Sequence, residues 1–210
     1  MKKYEKYQDY VIKDGELIGE FDEMYRDYSD PWHQLAQDHK KTFLITLDLI
    51  KEYKFKRIIE IGCGLGKLTH QLQSVCEGEV LGVDISPKAI LEAEKKYPNC
   101  NFMIGDIIDF HLYKEFKPDC IVMAEITWYV LDKLEDFLHY FNENMPNTYL
   151  IHLLHLYQSD VQKYGVEYFM NLNGILKYFN FDYKEYGQVN NAKTGDIHSY
   201  FLGQPFKKKK

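Results

Sequence analysis

The chain has 210 residues, of which 45% are hydrophobic and 28% charged, so it can bury a core and global disorder is excluded. Its net charge is −6, and outside the four lysines at 207–210 it lacks the basic stripe of nucleic-acid-binding proteins. No apolar run approaches the roughly 18 residues that span a bilayer, and the first residues do not lead into a secretion signal. We therefore expect one cytoplasmic domain with a short solvated lysine tail over 207–210, with no nucleic-acid or membrane partner and with its oligomeric state open.

The cysteines and arginines exclude further classes of site. The four cysteines are widely spaced and form no CxxC pair, so neither a zinc knuckle nor a disulfide scaffold is indicated. Free thiols fit a reducing cytoplasm. Only Arg26 and Arg57 occur, so a bidentate arginine clamp on a phosphate or carboxylate is nearly unavailable.

The amino-terminal quarter of the chain is polar, rich in tyrosine and helical in tendency. Asp30-Pro31 interrupts it, because the residue before proline is pushed out of the helical region. Apolar residues at helical spacing then predict an amphipathic helix over about 32–53. We expect residues 1–40 to form a helical cap on a domain that spans 41–206.

From residue 57 onward, short apolar runs alternate with helical patterns, which is typical of βαβ units and a parallel sheet. Two late strands are joined by a short turn and cannot form a right-handed crossover, so one strand should run antiparallel. The predicted strands cover 57–61, 79–84, 100–104, 119–125, 148–155, 181–186 and 197–202, and the predicted helices cover 68–75, 87–97, 131–142 and 166–179.

The most informative motif is a glycine turn between the first of these strands and its helix, Gly62-Cys63-Gly64-Leu65-Gly66, with Glu60 before it. Glycines permit a tight turn, and the start of a helix attracts a ligand's negative groups. The third glycine comes one place too early for a dinucleotide fingerprint, and Glu60 would repel a pyrophosphate but suits a cation. Asp84 ends the second strand, where a carboxylate can bind two ribose hydroxyls. The motif therefore predicts a ribose-containing cofactor, the alternative being a purely structural turn.

Asp106 follows the third strand and faces the same edge of the sheet. A carboxylate there can accept from an adenine amino group, while the next amide, that of Ile107, donates to a ring nitrogen. The alternative interpretation of Asp106 is a helix N-cap.

Together these motifs resemble those of the class I S-adenosylmethionine-dependent methyltransferases. The resemblance covers about 40–202 and implies an α/β fold: a Rossmann-like seven-stranded sheet of order 3-2-1-4-5-7-6, with strand 7 antiparallel. It also implies S-adenosyl-L-methionine as cofactor and S-adenosyl-L-homocysteine as product. The segments that carry it are Glu60-Ile-Gly-Cys-Gly-Leu-Gly66, Gly82-Val-Asp-Ile-Ser86, Gly105-Asp-Ile107 and Pro118-Asp-Cys-Ile-Val-Met-Ala-Glu125.

The resemblance also implies a role for each matching residue in binding the cofactor. Glu60 belongs to the same motif as the glycines and is implied to bind the cofactor with them. The implied contacts are Gly62, Cys63, Gly64 and Gly66 around the methionyl part, Asp84 on the ribose, Ile85 beside the adenine, Asp106 and Ile107 on the adenine edge, and Glu125 near the amino-acid end or the methyl group.

Two further segments, Ser29-Asp-Pro-Trp32 and Ala124-Glu-Ile-Thr-Trp-Tyr-Val130, are similar to those of the nodulation N-methyltransferases and related glycan and amino-sugar methyltransferases. This implies a small polar acceptor, with N- or O-methylation of a sugar, a sugar nucleotide or another precursor of a surface glycan or natural product. The chain departs from that pattern after residue 155. An RNA or protein methyltransferase, a nicotinamide-dependent reductase and a non-catalytic adenosyl-binding subunit stay open as alternatives.

Candidate bases lie near the end of the fifth strand. His152 and His155 are three residues apart and should point to opposite faces, which argues against a two-histidine metal site, and we predict no metal. His155, nearer the strand end, is the candidate general base, or else a hydrogen-bonded structural histidine. Glu125 is the other candidate, as a base or as the partner of a cation. His198, on a late strand, is expected to be structural.

Aromatic residues surround the expected site. Aromatic faces attract sulfonium and ammonium cations, although such rings also pack a cap onto a core. We predict that Trp32 borders the cofactor's methyl group. The predicted contacts to the acceptor are Tyr25, Tyr28, Trp128 and Tyr129.

Overall fold

The computed structural model describes residues 2–36, 40–157 and 164–207. Besides helices and strands, it contains short 3₁₀ turns at Tyr7–Tyr10, Gln34–Ala36 and Thr127–Tyr129. In chain order the strands and helices are β1 (Ile12–Lys13), β2 (Glu16–Leu17), α1 (Phe21–Asp27), α2 (Lys41–Tyr53), β3 (Arg57–Ile61), α3 (Lys67–Val75), β4 (Glu79–Asp84), α4 (Pro87–Lys96), β5 (Asn101–Ile104), α5 (Phe110–Phe116), β6 (Cys120–Ala124), α6 (Leu131–Asn144), β7 (Tyr149–Leu156), α7 (Leu172–Phe179), β8 (Asp182–Asn190) and β9 (Ile197–Gln204).

Seven strands form one sheet in the order β5-β4-β3-β6-β7-β9-β8. The first five run parallel, and β9 lies antiparallel between β7 and β8. Counted from β3, this is the order 3-2-1-4-5-7-6 with an antiparallel seventh strand, which confirms the predicted fold class.

The central strands are buried on both faces, as in other parallel sheets that are covered on each side by helices. Alternate residues of β3 serve different cores: Ile59 packs in the cluster that includes α6 and α7, whereas Ile58 packs in the cluster that includes α2 and α3. This leaves the carboxyl ends of the strands as the open edge of the sheet.

The predicted helix over 32–53 is wrong at its start, because α2 begins only at Lys41. The Asp30 carboxylate accepts hydrogen bonds from the amides of Gln34 and Leu35, at 2.8 and 3.2 Å. An aspartate that bonds its own following backbone competes with a continuous helix, and here it holds a separate 3₁₀ turn. Residues 37–39 lie outside the described part of the chain.

The amino-terminal segment, residues 2–36, is also less helical than predicted. Besides α1 it contains the hairpin of β1 and β2, joined by Asp14-Gly15, both with positive φ. Asp-Gly is a strong signal for such a two-residue turn. Each strand has only two residues, which is too short for an alternating pattern, so the sequence does not indicate them.

The helix predicted over 166–179 is wrong at its start as well, since α7 spans only Leu172–Phe179. The Asn171 side chain accepts from the Gly174 amide at 2.9 Å, which is the usual bond of an N-cap residue. Helix α5, Phe110–Phe116, was not predicted at all.

No helix in the described ranges is both long and apolar enough to cross a membrane. All four cysteines are free thiols. Of the predicted lysine tail, only Lys207 lies within the described part of the chain, and it is exposed.

Candidate functional site

A cavity of about 880 Å³ opens at the carboxyl edge of the parallel strands, between that edge and the amino-terminal segment. This is where open α/β sheets bind ligands. Most of the predicted site residues line it: Tyr25, Trp32, Gly62, Asp84, Ile85, Asp106, Ile107, Glu125, Trp128, Tyr129 and His155. Glu60, Cys63, Gly64, Gly66 and Tyr28 do not.

The glycine turn has its three glycines in the left-handed region, with φ of 72° at Gly62, 54° at Gly64 and 76° at Gly66. Glycine adopts this backbone without steric cost. A Cβ on Gly64 would lie 2.5 Å from the Gln34 side-chain oxygen and 2.7 Å from the Tyr25 hydroxyl. The amino-terminal segment therefore rests directly on the turn.

Asp84 presents a buried carboxylate to the cavity, with 8% of the residue exposed. It accepts hydrogen bonds from the amides of Gly64 and Ser86, at 2.8 and 2.9 Å. Burial raises the pKa of Asp84, and the two amide bonds oppose that rise. A carboxylate has about four acceptor sites, so Asp84 keeps capacity for the hydroxyls of a ribose.

Asp106 also lines the cavity, and the ammonium group of Lys133 at the start of α6 binds its carboxylate. The neighbouring Ile107 is 2% exposed and forms an apolar wall. The pairing leaves other lone pairs of Asp106 free for an adenine amino group. Lys133 was not among the predicted site residues.

Glu60 and Cys63 lie behind the glycine turn rather than in the cavity wall. The Thr69 hydroxyl of α3 donates to Glu60, and burial raises the pKa of Glu60 to about 8 in spite of this bond. Burial likewise raises the pKa of the Cys63 thiol, helped by the charges of Asp84 and Glu60. Both side chains support the turn from beneath, which differs from the predicted contact with the cofactor.

Glu125 is the centre of a polar cluster on the other side of the cavity. Its Oε1 accepts from Lys40 Nζ at 2.8 Å and from His198 Nδ1 at 3.0 Å, and its Oε2 accepts from the amide of His155. Burial disfavours its charge, but the His198 hydrogen bond and the Lys40 charge lower the pKa of Glu125 to about 2. A carboxylate with so low a pKa is a weak base, so the geometry favours Glu125 as the partner of a cation.

The three histidines near this edge have different surroundings. His155 lines the cavity, and burial together with the neighbouring His198 lowers its pKa, so it is neutral and able to accept a proton at pH 7. His152 is fully buried, shares a 2.7 Å hydrogen bond with Thr127 and stacks on Phe201. Burial lowers the pKa of His152 to about 3, so it is a neutral core residue.

His198, which was expected to be structural, lines the cavity beside Glu125. Since β9 pairs antiparallel with β7, His198 lies directly opposite His155, with ring centroids 4.8 Å apart. The predicted sheet order already contained this pairing, and strand register would have placed His198 at the site.

Four of the five predicted aromatic residues surround the cavity. Trp32 and Tyr129 meet across it, with ring centroids 5.3 Å apart, and the Trp128 indole donates to the main-chain oxygen of His155 at 2.9 Å. Tyr28 instead donates its hydroxyl to the main-chain oxygen of Glu5 and packs within the amino-terminal segment. The structure thus places Tyr28 outside the cavity lining, although it was predicted to contact the acceptor.

Lys40 and Gln34 were missed because no sequence pattern marks them. Gln34 Oε1 accepts at 2.8 Å from the Leu65 amide within the glycine turn. Lys40 stands just before α2 and binds Glu125, which is distant in sequence.

Comparison with known proteins agrees with this geometry. A methyltransferase-domain family model matches residues 58–145. The chain is 33% identical over 97 residues to putative methyltransferase 235L of Invertebrate iridescent virus 6, a match that covers 46% of this chain and 36% of that protein. The chain thus spans about a third of the length of that relative.

Three solved structures share the fold. PH0226 protein of Pyrococcus horikoshii has a TM-score of 0.63 at 16% identity, covering 87% of this chain and 98% of that one. The N-methyltransferase NodS of Bradyrhizobium japonicum, in complex with S-adenosylhomocysteine, has a TM-score of 0.59 at 16% identity, and the match covers 84% of this chain and 93% of that one. The magnesium protoporphyrin IX methyltransferase ChlM of Synechocystis, with bound S-adenosylmethionine, has a TM-score of 0.54 at 15% identity, and the match covers 94% of this chain and 90% of that one.

The residues that fit a ribose and an adenine stand at the edge where such sheets bind ligands, on a chain whose central segment matches a methyltransferase domain. Residues 58–145 therefore match a methyltransferase domain, and the fold and the site residues fit S-adenosylmethionine as the cofactor.

Proposed function

We propose that the protein methylates an amino or hydroxyl group on a small polar molecule such as an amino sugar or another precursor of a surface glycan or natural product. The observation that carries the proposal is the cavity beneath the amino-terminal segment, which continues from Asp84 and Asp106 to Glu125 and His198. A covered pocket of this size suits a small molecule. The similarity of the Asp-Pro-Trp segment to amino-sugar methyltransferases supports the sugar class.

The chain's own contribution is to align two reactants and exclude water. When bound, S-adenosylmethionine supplies an electrophilic methyl group on a sulfonium sulfur. Asp84 would hold the ribose and Asp106 the adenine edge. The rings of Trp32 and Tyr129 offer faces that attract a cation.

The charges of the cavity favour an acceptor without a phosphate group. Among the described lining residues the only lysines are Lys40 and Lys133, and carboxylates neutralise both. Neither Arg26 nor Arg57 lines the cavity. A phosphate would therefore meet little positive charge, which argues for the free sugar over a sugar nucleotide or phosphate.

The test offers acceptors to the isolated chain together with S-adenosylmethionine carrying a labelled methyl group. We expect label in glucosamine, and less in glucosamine 6-phosphate, which differs only by the phosphate. N-acetylglucosamine has its amino group blocked, so label in it would indicate methylation of a hydroxyl, and label in glucosamine alone would indicate methylation of the amino group. Label in transfer RNA or in a histone, with none in the sugars, would contradict the proposal, and cofactor binding without any transfer would favour an adenosyl-binding subunit.

A further inference from the structure

His198 reaches the cavity because of the direction of its strand. The start of an antiparallel strand lies at the edge where its parallel neighbours end. His198 is near the start of β9, and its register partner His155 is near the end of β7. Both rings therefore stand at the carboxyl edge, beside Glu125.

The hydrogen bond to Glu125 defines which nitrogen of His198 holds the proton. Nδ1 lies 3.0 Å from Glu125 Oε1, and an ionised carboxylate can only accept. The proton of the neutral ring is thereby held on Nδ1, which leaves the lone pair on Nε2. No hydrogen bond joins this Nε2 to any residue in the described ranges.

Glu125 is fixed well enough to orient the ring. Lys40 binds the oxygen that accepts from His198, and the His155 amide binds the other oxygen. The backbone of Glu125 has φ of 65°, and its amide donates to the Leu153 carbonyl at 2.8 Å. A non-glycine residue keeps this conformation only where its surroundings impose it, and such residues cluster at functional sites.

We propose that His198 Nε2 is the base that takes the proton of the methyl acceptor, and that Glu125 is the positioning residue that holds the imidazole for this task. The inference rests on the proposed function and deepens it, because a base is needed only where the acceptor is an amino or hydroxyl group. An aligned imidazole beside a carboxylate is a recurrent arrangement for proton transfer.

The step balances as follows. His198 Nε2 takes the proton from the acceptor's ammonium N–H or hydroxyl O–H, and the electron pair left there forms the new bond to the methyl carbon. The carbon–sulfur bond breaks, and its pair stays on sulfur, whose positive charge is cancelled. The proton then passes from His198 to solvent, which the partly exposed ring can reach.

The charged and titratable groups that face His198 are Glu125, Lys40 and His155. Behind His155 lies Asp196, whose carboxylate is 3.6 Å from the Nε2 of His155. His155 is the competing base. It has no carboxylate within hydrogen-bond distance at either ring nitrogen among the described residues, since 3.6 Å is too long for such a bond. His155 therefore lacks the orientation that Glu125 gives to His198.

The first experiment needs no acceptor. Long-range proton–nitrogen NMR of the ¹⁵N-labelled full chain, assigned with His198→Gln and His155→Gln, reports the tautomer of each ring. We expect His198 to carry its proton on Nδ1, and Glu125→Gln to weaken that preference. A His198 ring protonated on Nε2 in the unmodified protein would overturn the inference.

The second experiment measures turnover with whichever sugar of the panel is methylated. His198→Gln should lower kcat by about 10²- to 10⁴-fold, the usual contribution of a general base, with partial rescue by added imidazole. Affinity for S-adenosylhomocysteine should stay unchanged, and the matched control His139→Gln, exposed on α6, should keep full activity. A large loss in His155→Gln with little loss in His198→Gln would assign the base to His155 instead.

The two proposals fail separately. If no sugar is methylated, the substrate class is wrong, while the tautomer of His198 still decides whether it is oriented as a base. If the sugars are methylated and His198→Gln is fully active, the substrate class stands and the base is wrong.

Discussion

Asp84 and Glu125 are two buried carboxylates with opposite local environments. Glu125 bonds to the Lys40 ammonium group and to the His198 ring. Asp84 has only the amides of Gly64 and Ser86 as its hydrogen-bond partners among the described residues. A buried carboxylate without a cation is costly, and ligand hydroxyls would relieve part of that cost.

Replacing Asp84 by Asn is therefore expected to weaken binding of S-adenosylhomocysteine by about tenfold, because a hydrogen bond to a charged acceptor contributes roughly 1.5–3 kcal/mol. Calorimetric titration of the isolated chain measures the change. Asp136→Asn, an exposed aspartate on α6, serves as the matched control. Equal affinity in Asp84→Asn and the unmodified chain would refute the ribose contact.

His152 should make the fold sensitive to acid. Its pKa falls from 6.5 in the unfolded chain to about 3 in the core, so the unfolded state binds more protons between these values. The contribution of His152 to stability is then present above pH 6.5 and declines as pH falls below it, by about 2 kcal/mol between pH 7 and pH 5. Because burial raises the pKa of Glu60 to about 8, Glu60 contributes in the opposite direction over this range. Urea unfolding at the two pH values therefore measures the decline as the difference between the unmodified protein and His152→Gln.

The stability of His152→Gln relative to the unmodified protein should rise by about 2 kcal/mol from pH 7 to pH 5. The variant is less stable at pH 7 because the packing of His152 on Phe201 is lost. His139→Gln, which changes an exposed histidine, should follow the unmodified protein at both pH values. The same pH dependence in His152→Gln and in the unmodified protein would contradict the prediction.

At the scale of elements, helix α1 is tied to the start of α4. The Asp22 carboxylate accepts from the Ser86 hydroxyl at 2.9 Å and from the Lys88 amide at 2.8 Å. Ser86 is also the N-cap of α4, whose hydroxyl accepts from the Ala89 amide. One side chain thus joins the amino-terminal segment to the loop that follows Asp84.

We expect Asp22→Ala to loosen α1 and to increase hydrogen exchange over residues 21–27, because two hydrogen bonds to a charged acceptor are lost. Glu23→Ala changes an exposed acid on the same helix and should leave exchange there unaltered. Mass spectrometry of deuterated peptides compares the two variants. Similar protection in both would mean that apolar packing alone holds α1.

Elements were predictable where one local signal dominated. Ser86-Pro87 predicts the first residue of α4, and the apolar runs predict the positions of the parallel strands. The starts of α2 and α7 were misplaced because Asp30 and Asn171 bond nearby amides and define other boundaries. Propensity and periodicity do not register such side-chain bonds.

At the scale of the whole molecule, the amino-terminal segment has a small core of its own. Tyr10, Val11, Met24 and Tyr25 pack against Leu65 and Ala89 of the sheet domain. The two larger core clusters contain no residue before Phe43. The segment therefore covers the site without being part of the main cores.

Deleting residues 2–36 should leave a folded domain that binds S-adenosylhomocysteine at least about tenfold more weakly and transfers no methyl group, since the cover against water is gone. Circular dichroism checks the fold, and calorimetry checks binding. Trp32→Ala should act in the same direction but more mildly. A truncated chain that remains fully active would contradict this prediction and the predicted division of the chain at residue 40.

The residues on one side of the cavity could be predicted to lie together, because each stands at the end of a strand or just after it, as Gly62, Asp84 and Asp106 do. The acceptor side could not, because it unites residues that are distant in sequence. Lys40 stands just before α2, Glu125 follows β6, and the antiparallel insertion of β9 brings His198 to them.

The position of β9 also has a consequence for biosynthesis. β7 is complete well before β9 has been translated, yet β9 is its direct neighbour in the sheet. While the ribosome is still making the intervening residues, the edge of β7 offers unpaired N–H and C=O groups to other nascent chains. Premature termination between β7 and β9 would thus produce an aggregation-prone chain that lacks His198.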